Sequence, residues 1–576
     1  MKILFFSPYS FVWQSSYLEL GLAEQLSRAG HQVDFMRCDG LLNSFCNSMS
    51  AFGLNPDSTS GEKEAVCLRC KRTRNFITND MDFSTILAED YLTASDVKKV
   101  EDILGGVTPD NWHKLELNNI PIGRYSSYEF LIRNKLRSRL IPPHLWLEYL
   151  DRLKQGLQVF FISQKFFSKN EPDRIIVYNH AFGVNHILTA VAQSYGIVCY
   201  TIQANGGLHA IASVSYLFRL SQNPFTLNRL QKWDEFSQLP LNIKQIRGVE
   251  KHLTALLDAT SPWVYSAPVG AKSVGEIRRI FGISEGKKVL LMTMSSEDEL
   301  FSAEFVGLSA SRIDPQIETL FSNQFEWIEY VAELVSKRRD LHLIIRVHPR
   351  EFPNKRESVR APHIDAFLNR IKLKLGSNIS LNTPDQGVSI YDLIPMVDVL
   401  INSTSSVGAE FAAFGIPVVN HDTHLLTAFP PSLTIQPEAR GSFESCVDEA
   451  ILKGNDANLS VMAFRWIYFR YFFINEAFEP TDWRIIRFII DGIRRPKNKY
   501  GLVFPAIFLR IVLRISSLLH LILKKKVAPA LTSIELGNLG IPDSKLILRS
   551  YNNSDYESEN TQVFNSLMRL KERILK

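Results

Sequence analysis

The 576-residue sequence has few of the features that mark exported, disordered or repetitive proteins. Its six cysteines are sparse, and Ser7-Pro8-Tyr9 interrupts the apolar start before a signal core forms, so we expect a reduced protein without an export signal. Charged residues make up 22% and hydrophobic residues 45%, which excludes a disordered or low-complexity chain. No internal repeat is visible. The length predicts roughly three to four domains, or two large ones.

Strong net charge is also lacking, since the formal value is only +5, and we expect no nucleic acid partner. The charge is uneven, however, because the segment 492–534 contains nine basic residues and no acidic one. The apolar part of this segment includes Arg510 and Arg514, which disfavour a membrane-spanning helix. We expect an amphipathic helix at 501–530 on an anionic membrane surface, with a helix packed on a domain core as the alternative.

Strand and helix patterns alternate through the first 440 residues. The apolar run Ile3–Phe6, the helical spacing of Tyr17–Ala29 and the strand-like Gln32–Met36 form a βαβ unit, which predicts a parallel sheet. A second set of such units begins after Val269. The predicted fold class is therefore α/β, with two Rossmann-like domains facing a cleft and C-terminal helices. The expected boundaries are 1–265 for an N-terminal Rossmann-like domain with a cysteine-containing insertion at 38–120, 270–440 for a second Rossmann-like domain, 441–500 for a helical segment, 501–530 for the surface helix, and 531–576 for a tail with a terminal helix.

The richest candidate site follows the strand-like run Leu341–Val347. Arg346, His348 and Arg350 alternate along the chain, so they share one face for as long as the strand continues. Two guanidinium groups and an imidazole at the carboxyl end of a strand suit a phosphate ligand. The alternative is a strand end with solvated arginines and a capping histidine.

Two serine-containing turns follow neighbouring strand-like runs. After Val397–Asn402, the turn residues Ser405 and Ser406 can cap a helix whose first N–H groups bind an anion, while Glu410 can accept hydrogen bonds from ribose or sugar hydroxyls. After Val289–Thr293, Ser295 and Ser296 can cradle a phosphate. An ordinary capped helix start is the alternative at both places.

These stretches resemble the nucleotide-sugar half of GT-B glycosyltransferases, and most closely the bacterial capsule and surface-polysaccharide transferases that use CMP-Kdo or CMP-sialic acid. The resemblance covers roughly the second domain and implies a GT-B-like fold. It implies that the domain 270–440 binds the nucleotide sugar and that the domain 1–265 lies on the acceptor side. It implies that His348, Ser405 and Ser406 contact the donor phosphate or nucleotide, and that Glu410 contacts ribose or sugar. One large retaining class within this fold has two glutamates eight residues apart, but here Asn402 and Val418 flank Glu410 at that distance.

The resulting functional hypothesis is transfer of a sugar from a CMP- or UDP-linked donor to a surface-polysaccharide or lipid-linked glycan acceptor. Cationic side chains could replace Mg²⁺ at the leaving phosphate, so we expect a metal-independent enzyme. We expect a cytoplasmic protein, peripheral at the inner face of the cytoplasmic membrane. The alternatives are a polyol-phosphate transferase of the teichoic-acid type, a nucleotide-sugar epimerase, which fits poorly with a membrane helix, and a non-catalytic membrane-associated assembly protein.

Transfer needs a general base for the acceptor hydroxyl, and we expect it at a strand end of the first domain. His180, which follows the strand-like run Arg174–Val177, is our candidate because an unperturbed imidazole titrates near neutral pH. A histidine that caps a helix is the alternative interpretation.

Four of the six cysteines fall in the insertion, at Cys38, Cys46, Cys67 and Cys70. This clustering favours a structural zinc site, although the spacing between the first two is wide; free buried thiols and a redox site are the alternatives. The insertion also contains Asp80-Met81-Asp82, which follows no strand-like run and which we interpret as a solvated turn rather than a Mg²⁺ site.

Overall fold

The computed structural model describes residues 1–10, 13–81, 83–204, 215–220, 232–260, 264–270, 272–308, 319–354, 358–373, 376–421, 430–473 and 551–575. The surface helix expected at 501–530, the end of the helical segment expected at 441–500, and Asp82 lie outside these residues. Within them, no helix combines the length and apolar character needed to cross a membrane.

The first sheet is parallel except at one edge. Its strands are β1 (Lys2–Phe6), β2 (Gln32–Arg37), β3 (Ser84–Leu87), β4 (Arg174–Tyr178), β5 (Val198–Ala204) and β6 (Ser215–Arg219). They lie in the order β3-β2-β1-β4-β5-β6, with β6 antiparallel to β5. The four apolar residues of β1 are all buried, as expected for a strand covered on both faces. The helices of this part are Trp13–Arg28, Asn47–Ala51, Ser60–Met81, Ala94–Gly105, Ile122–Tyr125, Tyr128–Arg133, Trp146–Phe167 and Gly183–Ser194.

The second sheet is entirely parallel. Its strands are β7 (Lys288–Thr293), β8 (Leu341–Arg346), β9 (Ile379–Asn382), β10 (Val399–Asn402) and β11 (Val418–Asn420), in the order β11-β10-β7-β8-β9. Both sheets therefore place their first five strands in the order 3-2-1-4-5 of a Rossmann fold, and the predicted architecture of two Rossmann-like domains is confirmed. The helices of this part are Ile243–Leu257, Val274–Phe281, Glu297–Phe305, Gln324–Ser336, Ile364–Lys372, Val407–Ala413, Phe443–Lys453, Ala457–Tyr468 and Asn553–Leu575.

The helix Ile243–Leu257 packs against the second sheet. Its buried residues Ile246 and Val249 share one hydrophobic core with Leu291 of β7 and Leu400 of β10. The boundary expected at residue 265 places this helix in the first domain, but its buried face packs in the core of the second. An amphipathic helix shows only that it buries one face, and its spacing carries no information about which sheet receives that face.

The terminal helix Asn553–Leu575 belongs to the same core. A buried ion pair joins Glu559 of this helix to Arg465, and the Glu559 carboxylate also accepts the Leu241 N–H at 2.8 Å. The far end of the chain is thereby fixed to the second domain next to the helix Ile243–Leu257.

The insertion at 38–120 is part of the first domain's core. β3 pairs with β2 at the edge of the first sheet, and Val66, Val100 and Trp112 share a hydrophobic core with Leu4 of β1. Although part of this insertion is polar in sequence, its buried residues pack onto the sheet instead of forming a separate unit.

Candidate functional site

A cavity of about 340 Å³ opens where β7, β8 and β10 end. β7 and β10 are the central strands at which the chain changes direction across the sheet, and ligands of doubly wound folds bind at this edge. Five of the eight residues expected to bind a donor line it: Arg346, His348, Ser405, Ser406 and Glu410.

Arg346 is the last residue of β8 and is only 4% exposed. Its Nη1 donates to Asn382 Oδ1 and, at 3.0 Å, to the Val388 carbonyl oxygen, while its Nε has no hydrogen-bond partner among the described residues. Burial lowers the pKa of the guanidinium to about 10, so it stays charged at neutral pH. A buried cation on a cavity wall favours an anionic ligand, because the ligand restores interactions lost with water.

His348 presents a hydrogen-bond donor to the cavity. Its Nδ1 accepts the Arg350 backbone N–H at 3.3 Å, and burial lowers the pKa of the ring, so the imidazole is neutral near pH 7. A neutral ring that accepts at Nδ1 carries its proton on Nε2. The rings of Tyr265 and His348 are inclined at 60° to each other, with 6.2 Å between their centroids.

Glu410 is held by two hydroxyl groups. Its Oε2 accepts from the Tyr391 hydroxyl at 2.8 Å, and its Oε1 accepts from Ser406 Oγ at 3.0 Å. Burial raises the pKa of the carboxyl group. Both hydroxyls orient the Glu410 carboxyl group on the cavity wall.

The turn that contains Ser405 and Ser406 is fixed by the side chain of Asn402, the last residue of β10. Its Nδ2 donates to the Ser405 carbonyl oxygen at 2.9 Å, and its Oδ1 accepts from the Thr293 hydroxyl at 2.5 Å. Ser405 Oγ accepts the Val407 N–H at 3.4 Å at the start of the next helix. The Asn402 side chain therefore joins the ends of β7 and β10.

Arg350 does not line the cavity. Its Nη2 donates to Asp298 Oδ2 at 2.6 Å and to the Ile132 carbonyl oxygen at 2.7 Å, and its Nη1 pairs with Glu299. The expectation that it shares a face with Arg346 depends on a continuing strand. β8 ends at Arg346, and the 3₁₀ turn Pro349–Glu351 directs the side chain towards the first domain.

Ser295 and Ser296 also lie outside the lining of this cavity. Ser296 Oγ donates to Asp298 Oδ1 at 2.8 Å, and the Ser295 N–H donates to Gln324 Oε1 at 2.6 Å. The Thr404 hydroxyl bonds Ser295 Oγ at 2.9 Å. Ser295 therefore connects the loops after β7 and β10, whereas Ser296 binds within its own segment.

His180 follows β4 at the carboxyl end of the first sheet and does not line the donor cavity. Its backbone N–H donates to Thr201 Oγ1 at 3.1 Å, and the ring lies 6.0 Å from that of His186. Burial lowers the pKa of the His180 ring to about 4. The neutral ring can accept a proton, but its imidazolium form is disfavoured by about 3 kcal/mol relative to an exposed histidine.

Several residues that line the cavity do not follow a strand, and the sequence analysis does not predict them. His252 comes from the helix Ile243–Leu257, Tyr391 begins a 3₁₀ turn, and Arg470 and Tyr471 follow the helix Ala457–Tyr468. The rings of His252 and Tyr471 lie 4.3 Å apart. No motif in the sequence marks these positions, because they reach the cavity only through tertiary packing.

The four cysteines of the insertion line one small cavity of about 20 Å³. Burial raises the pKa of Cys38 and Cys67, and raises that of Cys46 to about 11, so these thiols are protonated at neutral pH. Throughout the described ranges, no group of three or more His, Cys, Asp or Glu side chains is arranged to hold a metal ion. The arrangement does not fit the expected zinc site, and we derive no role for zinc from it.

Comparisons with known proteins give only remote likenesses. No family model matches the sequence, and no curated protein matches it. Among solved structures, the KpsC β-Kdo 2,4-transferase of Thermosulfurimonas dismutans is 13% identical over 51% of this chain and 79% of its own, with a TM-score of 0.31. A UDP-GlcNAc 2-epimerase from Methanocaldococcus jannaschii, in complex with UDP-GlcNAc and UDP, is 11% identical over 80% of this chain and 98% of its own, with a TM-score of 0.27.

Proposed function

We propose that this chain is a glycosyltransferase that moves a sugar from a nucleotide-activated donor to a surface-polysaccharide or lipid-linked glycan acceptor. The observation that carries the proposal is the cavity at the ends of β7, β8 and β10, in which a buried arginine, a neutral histidine and a hydroxyl-bonded glutamate meet. This combination suits a ligand with an anionic phosphate and neutral hydroxyl groups.

The donor phosphate would lie against Arg346 and the Nε2–H of His348, with the hydroxyls of Ser405 and Ser406 beside it. When the bond between the anomeric carbon and the phosphate oxygen breaks, negative charge develops on the departing nucleotide. Charged and neutral donors fixed in a buried site stabilise that charge without reorganising. These groups could act in place of a catalytic metal, and we propose a metal-independent reaction.

Glu410 would bind ribose or sugar hydroxyls, because each of its oxygens retains acceptor capacity beside its bond to Ser406 or Tyr391. The aromatic rings of Tyr265 and Tyr471 also line the cavity and would contact the nucleobase. The donor sugar would be linked to CMP or UDP.

The acceptor hydroxyl oxygen would attack the anomeric carbon, and its proton would pass to a base in the first domain. His180 is the proposed base, because its neutral ring lies at the carboxyl end of β4. The proposed location is the cytoplasmic face of an anionic membrane, where the basic segment 492–534 would hold the enzyme beside a lipid-linked acceptor.

The test is a thermal-shift panel of CMP, CDP, UDP, GDP and phosphate on the wild type, on His348→Ala, and on His144→Ala as an exposed histidine control. A ligand that binds the folded state raises its melting temperature. We expect one nucleotide to stabilise the wild type and His144→Ala but not His348→Ala. CMP would indicate an acidic sugar, UDP or GDP a hexose, and CDP the polyol-phosphate alternative. No shift with any ligand would refute the donor site, and binding without donor consumption would favour the non-catalytic assembly protein.

A further inference from the structure

We propose that Lys135 of the first domain is a positioning residue for the donor site, because it holds the turn Pro349–Glu351 in the conformation that orients His348. The proposal rests on the proposed function only in taking a nucleotide as the ligand of the cavity. Lys135 lies at the interface between the two domains and lines no part of that cavity.

The ammonium group of Lys135 is bound by the second domain. The side chain is 1% exposed, and Nζ donates to the carbonyl oxygens of Arg350, Phe352 and Val359, the second of these at 3.2 Å. Three acceptors match the three N–H donors of an ammonium group. The lysine thereby gathers three backbone positions of the loop that follows β8.

The backbone of Lys135 is strained. Its φ is 52°, in the left-handed region that non-glycine residues rarely adopt. Lys135 comes directly after Asn134, which caps the helix Tyr128–Arg133. Such a conformation persists where surrounding contacts determine it, and it frequently accompanies a functional constraint. Here it delivers the Lys135 side chain into the opposite domain.

One residue links Lys135 to the donor site. The Arg350 carbonyl oxygen accepts from Lys135, and the Arg350 N–H donates to His348 Nδ1 at 3.3 Å. The Arg350 side chain is held at the same interface by Asp298 and by the Ile132 carbonyl oxygen. The carbonyl and the N–H of Arg350 belong to adjacent peptide units, so releasing the carbonyl loosens the residue whose N–H sets the tautomer and orientation of His348.

Arg137 provides a matched control in the same segment. Its Nη1 donates to Glu297 across the same domain interface at 2.7 Å, and its guanidinium lies 4.3 Å from the centroid of the Phe325 ring. Among the described residues, the hydrogen bond, ion pair and ring contact of Arg137 involve Glu297 and Phe325 and not the turn Pro349–Glu351. Removing either cation weakens the interface, but only the loss of Lys135 should change the orientation of His348.

The first measurement follows hydrogen exchange of the peptide that spans residues 348–354 in the unliganded protein. We expect faster exchange in Lys135→Met and unchanged exchange in Arg137→Met. Equal exchange in the wild type and Lys135→Met would overturn the proposal. If Lys135→Met does not fold, Lys135→Gln, which keeps an amide donor, replaces it in the same comparison.

The second measurement is the dissociation constant, by calorimetry, of whichever panel nucleotide stabilises the wild type. We expect Lys135→Met to weaken binding about tenfold or more and Arg137→Met less than about threefold, because small displacements of binding groups are costly. In the His348→Ala background, where residual binding is measured at nucleotide concentrations above those of the thermal-shift panel, Lys135→Met should add almost nothing, since coupled residues are not additive. Fully additive losses would overturn the positioning role. If exchange responds as expected but no nucleotide binds the wild type, the positioning stands and the proposed function fails.

Discussion

Glu19 should make the stability of the first domain depend on pH. It lies 3% exposed on the helix Trp13–Arg28, where its carboxyl group accepts from Ser7 Oγ at 2.5 Å. Burial raises its pKa from 4.5 to about 7, against the opposing effects of the Ser7 bond and the charge of Arg37. A carboxyl whose pKa is raised by folding stabilises the native state fully below its unfolded value near 4.5, and that contribution is lost as the pH rises through 7.

The size of the effect follows from the two pKa values. A difference of about 2.5 units at 1.36 kcal/mol each corresponds to about 3 kcal/mol of unfolding free energy lost between pH 4.5 and 7. Glu19→Gln removes the titration. The free energy of unfolding of this variant minus that of the wild type should therefore rise by about this amount over the same window and then level off.

The assay is urea unfolding of both proteins at intervals from pH 4.5 to 8. Other titrating groups are common to both proteins and cancel in the difference. The attraction between Arg37 and the ionised carboxylate is already contained in the folded-state pKa of Glu19, and any pH-independent difference between a protonated carboxyl group and an amide shifts the curve without changing its slope. Glu24→Gln, in which a glutamate that pairs with Arg28 at the surface of the same helix is replaced, is the control and should give a flat difference. A flat or falling difference for Glu19→Gln would refute the reasoning.

Three further predictions concern the terminal helix, the serine turn and the cysteines. Arg465→Met should cost about 3–5 kcal/mol of unfolding free energy, measured in urea, because it leaves Glu559 buried and unpaired, whereas Lys453→Met at the surface should cost less than about 1 kcal/mol. Asn402→Ala should weaken binding of the stabilising nucleotide about tenfold in calorimetry with a smaller loss of melting temperature, because it releases the Ser405 carbonyl; an unchanged affinity would contradict this. The thiols of Cys38 and Cys46 should react slowly with iodoacetamide near pH 7, since their pKa values are raised; rapid labelling, or one zinc ion per chain by elemental analysis, would show a different arrangement.

The parts of the fold that the sequence predicts are those with local signals. Continuous apolar runs such as those of β7 and β8 indicate strands buried on both faces, and their alternation with helices predicts parallel sheets. Gly415 ends the helix Val407–Ala413 at a φ of 83°, and a Cβ there would lie 3.0 Å from the Asp456 carbonyl oxygen. Such signals predict the order of the elements along the chain. They do not predict which sheet the helix Ile243–Leu257 packs against, because that depends on long-range packing.

The candidate site divides along the same line. Residues within or directly after a strand, such as Arg346 and His348, lie where the strand-end argument predicts them. Arg350 does not, because side chains alternate between the two faces only while the strand continues, and Arg350 lies in the 3₁₀ turn that follows it. Tyr391 and Tyr471 reach the cavity from turns and helix ends, for which a single sequence offers no positional rule.

The stretch Arg346–Glu351 thus serves two surfaces within six residues. Arg346 and His348 face the cavity, whereas Arg350 and Glu351 are buried away from it, the first against Ile132 and Asp298 and the second against His363. Because one short turn joins both surfaces, a rotation of the first domain that moves the partners of Arg350 also moves the N–H bonded to His348. On the proposal for Lys135, affinity for an anion in the cavity and the orientation of the two domains are linked, and by reciprocity a ligand that fixes His348 should favour the domain arrangement in which Lys135 reaches the turn.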